Sequence, residues 1–153
     1  MSESSIQTAA QTTIQSIAAF SSADVTINDW RILDGAISNA PYVIIESVDE
    51  FSSDQTGMTP VTIWTIKLWL FERFTEWKTT LDNFTTRRQA IIDEFNEVGS
   101  NRAAGGAAAT DANPIRSASP IQPYYDPQLS SREVAEADPI YLYQLLLLDV
   151  KES

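Results

Sequence analysis

Apolar residues recur at the spacing of an α-helix in two parts of the chain. The first helix is predicted from about Ser4 to Phe20, and it carries a single narrow apolar stripe. The members of that stripe are Ile6, Ala10, Ile14 and Ile17. A helix with so few apolar residues is stable only when it docks on something larger, so we expect it to pack against another part of the fold.

The second helix is predicted from about Thr75 to Val98, and its apolar residues fall in two adjacent columns. One column contains Trp77, Phe84, Ile91 and Val98, and the other contains Leu81, Arg88 and Phe95. Gly99 follows at the position where a left-handed C-cap would end the helix. Arg88 interrupts the apolar face, and we expect it at the rim of the core with its guanidinium in water.

Alternating and β-branched residues predict three strands, at Tyr42 to Val48, at residues 61–71 and at Ile140 to Val150. A shorter strand is predicted from Ile115 to Ile121, and the prolines nearby confine it to a sheet edge or a bulge. The residues from Asp24 to Ala40 are ambiguous, because their apolar side chains follow no clean period.

The segment from about 100 to 113 shows neither the helical nor the strand period of apolar residues, and it contains Gly105 and Gly106 between alanine pairs. We expect a mobile loop there, as part of a long irregular segment. The order of elements predicts a single domain over residues 1–153 of the α+β class. Its sheet should have about four mostly antiparallel strands, with two helices packed mainly on one face.

The predicted sheet has more apolar surface than two helices can cover. The strands at residues 61–71 and 140–150 are apolar on both faces, and the helices cover about one face. The surplus consists of Trp69, Phe71, Tyr141 and Tyr143, or of their counterparts on the opposite face. Two coverings stay open: residues 100–135 fold back over this surface, or another subunit contacts it, since aromatic residues are enriched in the cores of interfaces.

Two further pairs of residues are candidates for contact with a partner. Tyr124 and Tyr125 lie among prolines, a composition that suits either a docking surface or a rigid turn. Gly105 and Gly106 lie in the irregular segment, which could supply a second contact surface or become ordered only on meeting a partner.

The charge balance and the missing residue types exclude several functions. The chain has 10 Lys+Arg against 21 Asp+Glu, a net charge of −11, which disfavours contact with nucleic acid or with an anionic membrane. It has no His and no Cys, so a Ser-His-Asp triad and a thiolate nucleophile or metal site are impossible. We therefore expect no enzyme, no cofactor and no metal, although a hydrolase built on paired carboxylates stays open.

The N-terminal residues lack the basic start and apolar centre of a secretion signal. The longest strongly apolar run, Leu145 to Leu148, is far shorter than the ~20 residues that a membrane helix needs. We expect a protein of the cell interior.

Several segments together resemble the tail terminator, or tail completion, proteins of tailed bacteriophages. The segments are Tyr42-Val-Ile-Ile-Glu46, the long strand at 61–71, the aromatic-rich helix at 75–98 and the closing Asp138-Pro-Ile-Tyr-Leu-Tyr-Gln-Leu. The likeness covers most of the chain in the order and length of its elements, and it includes no catalytic signature.

The resemblance implies an α+β subunit that closes into a hexameric ring on the head-proximal end of a phage tail tube. Such a ring stops polymerisation of the tail tube protein and offers a surface to the head connector, while DNA passes through it without specific binding. The resemblance also implies a structural protein of the virion neck region that is assembled in the host cytoplasm and has no enzymatic activity. Other neck or head-completion (stopper) proteins are similar in size and are the alternative.

Overall fold

The computed structural model describes residues 3–34, 41–54, 60–101, 107–109 and 114–152. Within these ranges the helices are α1 (Glu3–Gln15), α2 (Trp77–Asn101) and α3 (Ser131–Val134), and two 3₁₀ turns span Ala18–Phe20 and Arg31–Asp34. The strands are β1 (Asp24–Ile27), β2 (Tyr42–Asp54), β3 (Pro60–Arg73), β4 (Ala107–Ala109), β5 (Ile115–Ala118), β6 (Gln122–Tyr124) and β7 (Tyr141–Glu152).

The seven strands of the described ranges form one mixed sheet in which β1, β2, β3 and β7 lie side by side in that order. The short strands β4, β5 and β6 pair with successive parts of the other edge of β7. β1 runs parallel to β2, while the other described pairs are antiparallel. The α+β class is confirmed, but the predicted count of about four strands is too low, and the parallel pair makes the sheet mixed.

Both long helices pack on the same face of the sheet, which we call the first face. The side chains that meet there are Ile6, Ala10 and Ile14 of α1, Phe84, Ile91 and Phe95 of α2, and Val43, Ile45, Trp64, Ile66, Leu68, Leu70, Leu142, Leu146, Leu148 and Val150 of the strands. The predicted placement of two helices on one face is therefore confirmed. We call the opposite side the second face.

Polar side chains help to attach α1 to the sheet. Gln7 is buried, and its Nε2 donates to the backbone oxygen of Glu46 at 3.3 Å. Gln11 Nε2 donates to the backbone oxygen of Val25 in the edge strand β1 at 2.8 Å. These bonds satisfy backbone acceptors and supplement the thin apolar stripe of the helix.

The inward face of α2 differs from the predicted one in its first turns. Trp77 and Leu81, which were predicted to face the core, are 49% and 38% exposed. α2 starts directly after β3 ends, so these two residues lie at the border of the sheet. The helix also continues past Gly99 to Asn101, so the predicted C-cap is wrong. Arg88 is half-buried with its Nη1 3.5 Å from Gln144 Oε1, in keeping with a position at the rim.

A partly buried ion pair joins α2 to β3. Arg87 Nε donates to Glu72 Oε1, and Arg87 Nη1 donates to the backbone oxygen of Ala19. The guanidinium carbon lies 5.5 Å from the centre of the Phe20 ring. Burial raises the pKa of the Glu72 carboxyl, although the nearby Arg87 acts in the opposite direction.

The borders of the loop predicted at about 100–113 need correction. α2 occupies its first residues, and Ala107–Ala109 pair with Val150 to Glu152 as strand β4. Gly105 and Gly106 lie outside the described residues, so their predicted contact role stays a prediction. Alanine has a low strand propensity, which explains why the sequence pattern does not reveal β4.

Candidate interaction site

The chain passes from the edge of the sheet onto the second face at Asn28. Asn28 has a φ of 54°, in the left-handed region that asparagine tolerates better than most residues. β1 ends at Ile27, just before this residue. The backbone nitrogen of Asn28 donates to the backbone oxygen of Ile45 in β2 at 2.9 Å. The next residues form the 3₁₀ turn, and Ile32 of that turn is buried against Tyr42 and Ile44 of β2.

Hydrogen bonds fix this segment at two points. The Arg31 guanidinium binds the Asp29 carboxylate, with Nη2 2.6 Å from Oδ2, and it lowers the pKa of Asp29 to about 2. Tyr42 Oη donates to the backbone oxygen of Asp29 at 3.1 Å. At the other end of the segment, Tyr124 Oη donates to the backbone oxygen of Leu33 at 3.0 Å. The segment from Asp29 to Asp34 is thus held as a cover over part of the second face.

Aromatic side chains from four parts of the chain meet beneath and beside this cover. Phe71 stacks on Tyr143 at 5.6 Å between ring centres, and Trp30 contacts Trp69 edge-on at 5.3 Å. Tyr124 of β6 stacks on Tyr141 at 6.2 Å. The rings therefore form one continuous cluster across β3, β7 and β6.

The predicted fold-back of residues 100–135 over this cluster is found in part, through Tyr124, while contact with another subunit stays a prediction. The residues from Trp30 to Leu33, which the sequence left ambiguous, supply most of the cover, and Tyr124 supplies the rest. Phe71 and Tyr141 are only 2% and 5% exposed within the single chain, so these two cannot offer a surface to a partner. Trp69 and Tyr143 stay half-buried and remain candidates.

A cavity of about 280 Å³ opens within the aromatic cluster. We call it the aromatic pocket; its lining residues are Trp30, Leu33, Trp69, Phe71, Tyr124 and Tyr143. The indole nitrogen of Trp69 donates to Glu46 Oε2 at 2.5 Å. Because that bond satisfies the only polar atom of the Trp69 ring, the ring offers apolar surface to the pocket.

A second cavity, of about 370 Å³, adjoins the aromatic pocket at Leu33 and Tyr124. It is more polar, and Asp34 and Asp126 are among its lining residues. Asp126 Oδ1 accepts a hydrogen bond from the backbone nitrogen of Gln128 at 2.9 Å, which stabilises the turn after β6. Tyr125 is half-buried beside this turn and does not line either of these two cavities. Of the predicted tyrosine pair, Tyr124 is the one that lines them.

A separate apolar surface surrounds Trp77 at the start of α2. The Trp77 ring lies edge-on to Phe74 at 5.1 Å, and the Phe74 nitrogen donates to the backbone oxygen of Ile140 at 3.0 Å. Leu81 lies one helical turn after Trp77, and Leu81 and Ile140 are both 38% exposed. We call these four residues the Trp77 patch. Sequence reasoning missed this surface because it assigned Trp77 and Leu81 to the core.

No family model matches this chain, and a search of curated proteins found no match either. In the parts of the chain that the structure describes, no group of three acidic, His or Cys side chains could hold a metal ion. In the same parts, no helix is long and apolar enough to cross a membrane. The described surfaces include an apolar cavity on the second face and an exposed apolar patch around Trp77.

Proposed function

We propose that the protein is a structural subunit of a bacteriophage virion that closes into a ring on the head-proximal end of the tail tube. In this role it stops polymerisation of the tube protein and presents a surface to the head connector or neck protein. It is assembled in the host cytoplasm and carries out no chemical reaction. The resemblance of its strands and of its long helix to tail terminator proteins supports the proposal.

The observation that carries the proposal is the presence of two separate apolar surfaces on one small subunit. A ring is built from head-to-tail contacts, so each subunit needs two different surfaces that bind each other. The aromatic pocket lies on the second face, and the Trp77 patch lies at the start of α2. Large exposed apolar residues clustered in this way favour an interface over a solvated surface.

The net charge fits a ring through which DNA passes. Six subunits of −11 would carry a charge of about −66, and such a ring, with its acidic residues facing the channel, repels the phosphate backbone rather than binding it. The DNA inside would therefore slide without specific contacts. A head-completion or stopper protein would share this property, and it is the alternative position in the same neck region.

A carboxylate-based hydrolase is the second candidate, because Asp34 and Asp126 line the same cavity. A carboxyl that acts as a general acid near neutral pH needs shielding from water, as burial provides. Both residues are exposed, and Asp126 already accepts a hydrogen bond within its own turn. These properties favour the ring over the hydrolase.

The test combines mass with microscopy. The purified chain, alone and mixed with phage tail tubes, is examined by light scattering after size exclusion and by negative-stain microscopy. We expect annular particles of hexamer mass, in solution or on the tube ends. A dimer that never changes with concentration or with tubes would overturn the ring, and binding above the tube would assign the subunit to the stopper position.

A further inference from the structure

The two apolar surfaces of the subunit have opposite shapes. The aromatic pocket is concave, with rings on several sides and Phe71 buried within its lining. The Trp77 patch projects, because Trp77 is about half exposed at the start of a helix and rests on Phe74 alone among the described aromatic rings. A projecting indole and an aromatic-lined cavity are complementary in both shape and chemistry.

The size of the pocket suits an indole ring. A cavity of about 150 Å³ in a protein core is enough to hold benzene. The aromatic pocket is open on one side and has a volume of about 280 Å³, which leaves room for the larger bicyclic ring of tryptophan. Its walls offer ring edges and faces, the arrangement that aromatic pairs prefer.

Trp77 does not reach the aromatic pocket of its own chain. Phe74 packs against the core of the first face, so Trp77, which rests on it, lies on the helix side of the molecule. The aromatic pocket lies on the second face, and Trp77 does not line it, although Ile140 of the Trp77 patch lines the adjoining cavity. Contact between Trp77 and the aromatic pocket therefore requires two copies, and it uses a different surface on each copy.

We propose that Trp77 of one copy inserts into the aromatic pocket of the next copy, between Trp30 and Tyr143. This inference rests on the proposed ring, in which neighbouring subunits contact each other head to tail. It adds the residues that form that contact. Such an indole is an anchor at the centre of an interface, where tryptophan contributes more binding energy than most residues. A stable interface buries about 1,000 Å² or more, which is more than one indole can supply. The residues around Trp77 and around the rim of the aromatic pocket would therefore have to supply the rest of the buried area.

The first experiment removes the anchor. Wild type, Trp77→Glu and the control Thr85→Glu are compared by sedimentation velocity from micromolar to millimolar concentration. Thr85 is exposed one turn after Leu81 on the same helix, so its variant adds the same charge beside the patch and keeps the indole. We expect Trp77→Glu to weaken self-association at least tenfold and Thr85→Glu to leave it nearly unchanged.

The second experiment uses the directionality of the contact. Trp30→Glu places a charge in the pocket and leaves Trp77 intact. If circular dichroism shows that this variant does not fold, Tyr143→Glu is used in its place. Each variant alone should be monomeric. A mixture of the pocket variant with Trp77→Glu keeps one intact pocket and one intact anchor, so it should form dimers and nothing larger.

The outcomes separate this inference from the ring. Rings that still form with Trp77→Glu would overturn the anchor and leave the ring standing. Open filaments or dimers that depend on Trp77 but never close would support the anchor and overturn the ring. A wild-type chain that stays monomeric up to millimolar concentration, or a mixture of the two variants that stays monomeric, would overturn the anchor.

Discussion

Single residues show where the sequence pattern is informative and where it is not. The four tryptophans occupy three environments: Trp64 in the first-face core, Trp30 and Trp69 at the aromatic pocket, and Trp77 half exposed at the start of α2. Alternation along β3 assigns Trp64 and Trp69 to opposite faces, because successive side chains of a strand point to opposite sides. The exposure of Trp77 depends on where the sheet ends beneath α2, and no local pattern encodes that.

The ion pair between Arg87 and Glu72 gives a prediction at this scale. Arg87→Leu leaves the buried Glu72 carboxylate without its partner, and we expect a loss of about 3–5 kcal/mol in the free energy of unfolding. The double variant Glu72→Leu, Arg87→Leu removes both charges and should lose clearly less. Urea denaturation followed by circular dichroism measures the three values.

The control for this prediction is the exposed pair of Lys78 and Asp82 on the same helix, whose charged atoms are 3.3 Å apart. Lys78→Leu should change the free energy of unfolding by less than about 1 kcal/mol, because water screens surface pairs. Equal losses for Arg87→Leu and Lys78→Leu would mean that the interior pair contributes no more than the exposed one.

Whole elements were predicted well where they are long and periodic. The strands now seen as β2, β3 and β7, and the helices α1 and α2, were predicted from spacing alone. β1 was missed because four residues cannot establish a period. Its parallel pairing with β2 was missed because it depends on contacts between residues far apart in the sequence. The 3₁₀ turn from Arg31 to Asp34 was missed for the same reason, although it supplies most of the cover of the second face.

The depth of α2 in the core is tested by two truncations on that helix. Phe84 is fully buried on the first face, so Phe84→Ala should cost about 3–5 kcal/mol through lost packing and the cavity it leaves. Leu81→Ala is the matched control, since Leu81 is 38% exposed and should cost less than about 1 kcal/mol. Chemical denaturation of both variants gives the comparison, and similar losses would mean that the helix is rotated relative to the sheet.

For the whole molecule, charge and apolar contact act in opposite directions. Copies that each carry −11 repel one another, while the proposed contact between Trp77 and the aromatic pocket is apolar. Raising NaCl from about 0.01 M to about 1 M shortens the Debye length from about 30 Å to about 3 Å and removes most of that repulsion. Self-association measured by sedimentation should therefore become stronger with salt.

The same salt series with Trp77→Glu separates the contact from general repulsion, because that variant should stay dissociated at every salt concentration. An interface held mainly by opposite charges would behave in the reverse way, since salt weakens attraction between exposed charges as well as repulsion. Wild-type association that weakens steadily with NaCl would thus contradict an aromatic contact, and it would direct attention to the acidic residues beside the pocket, Asp34 and Asp126.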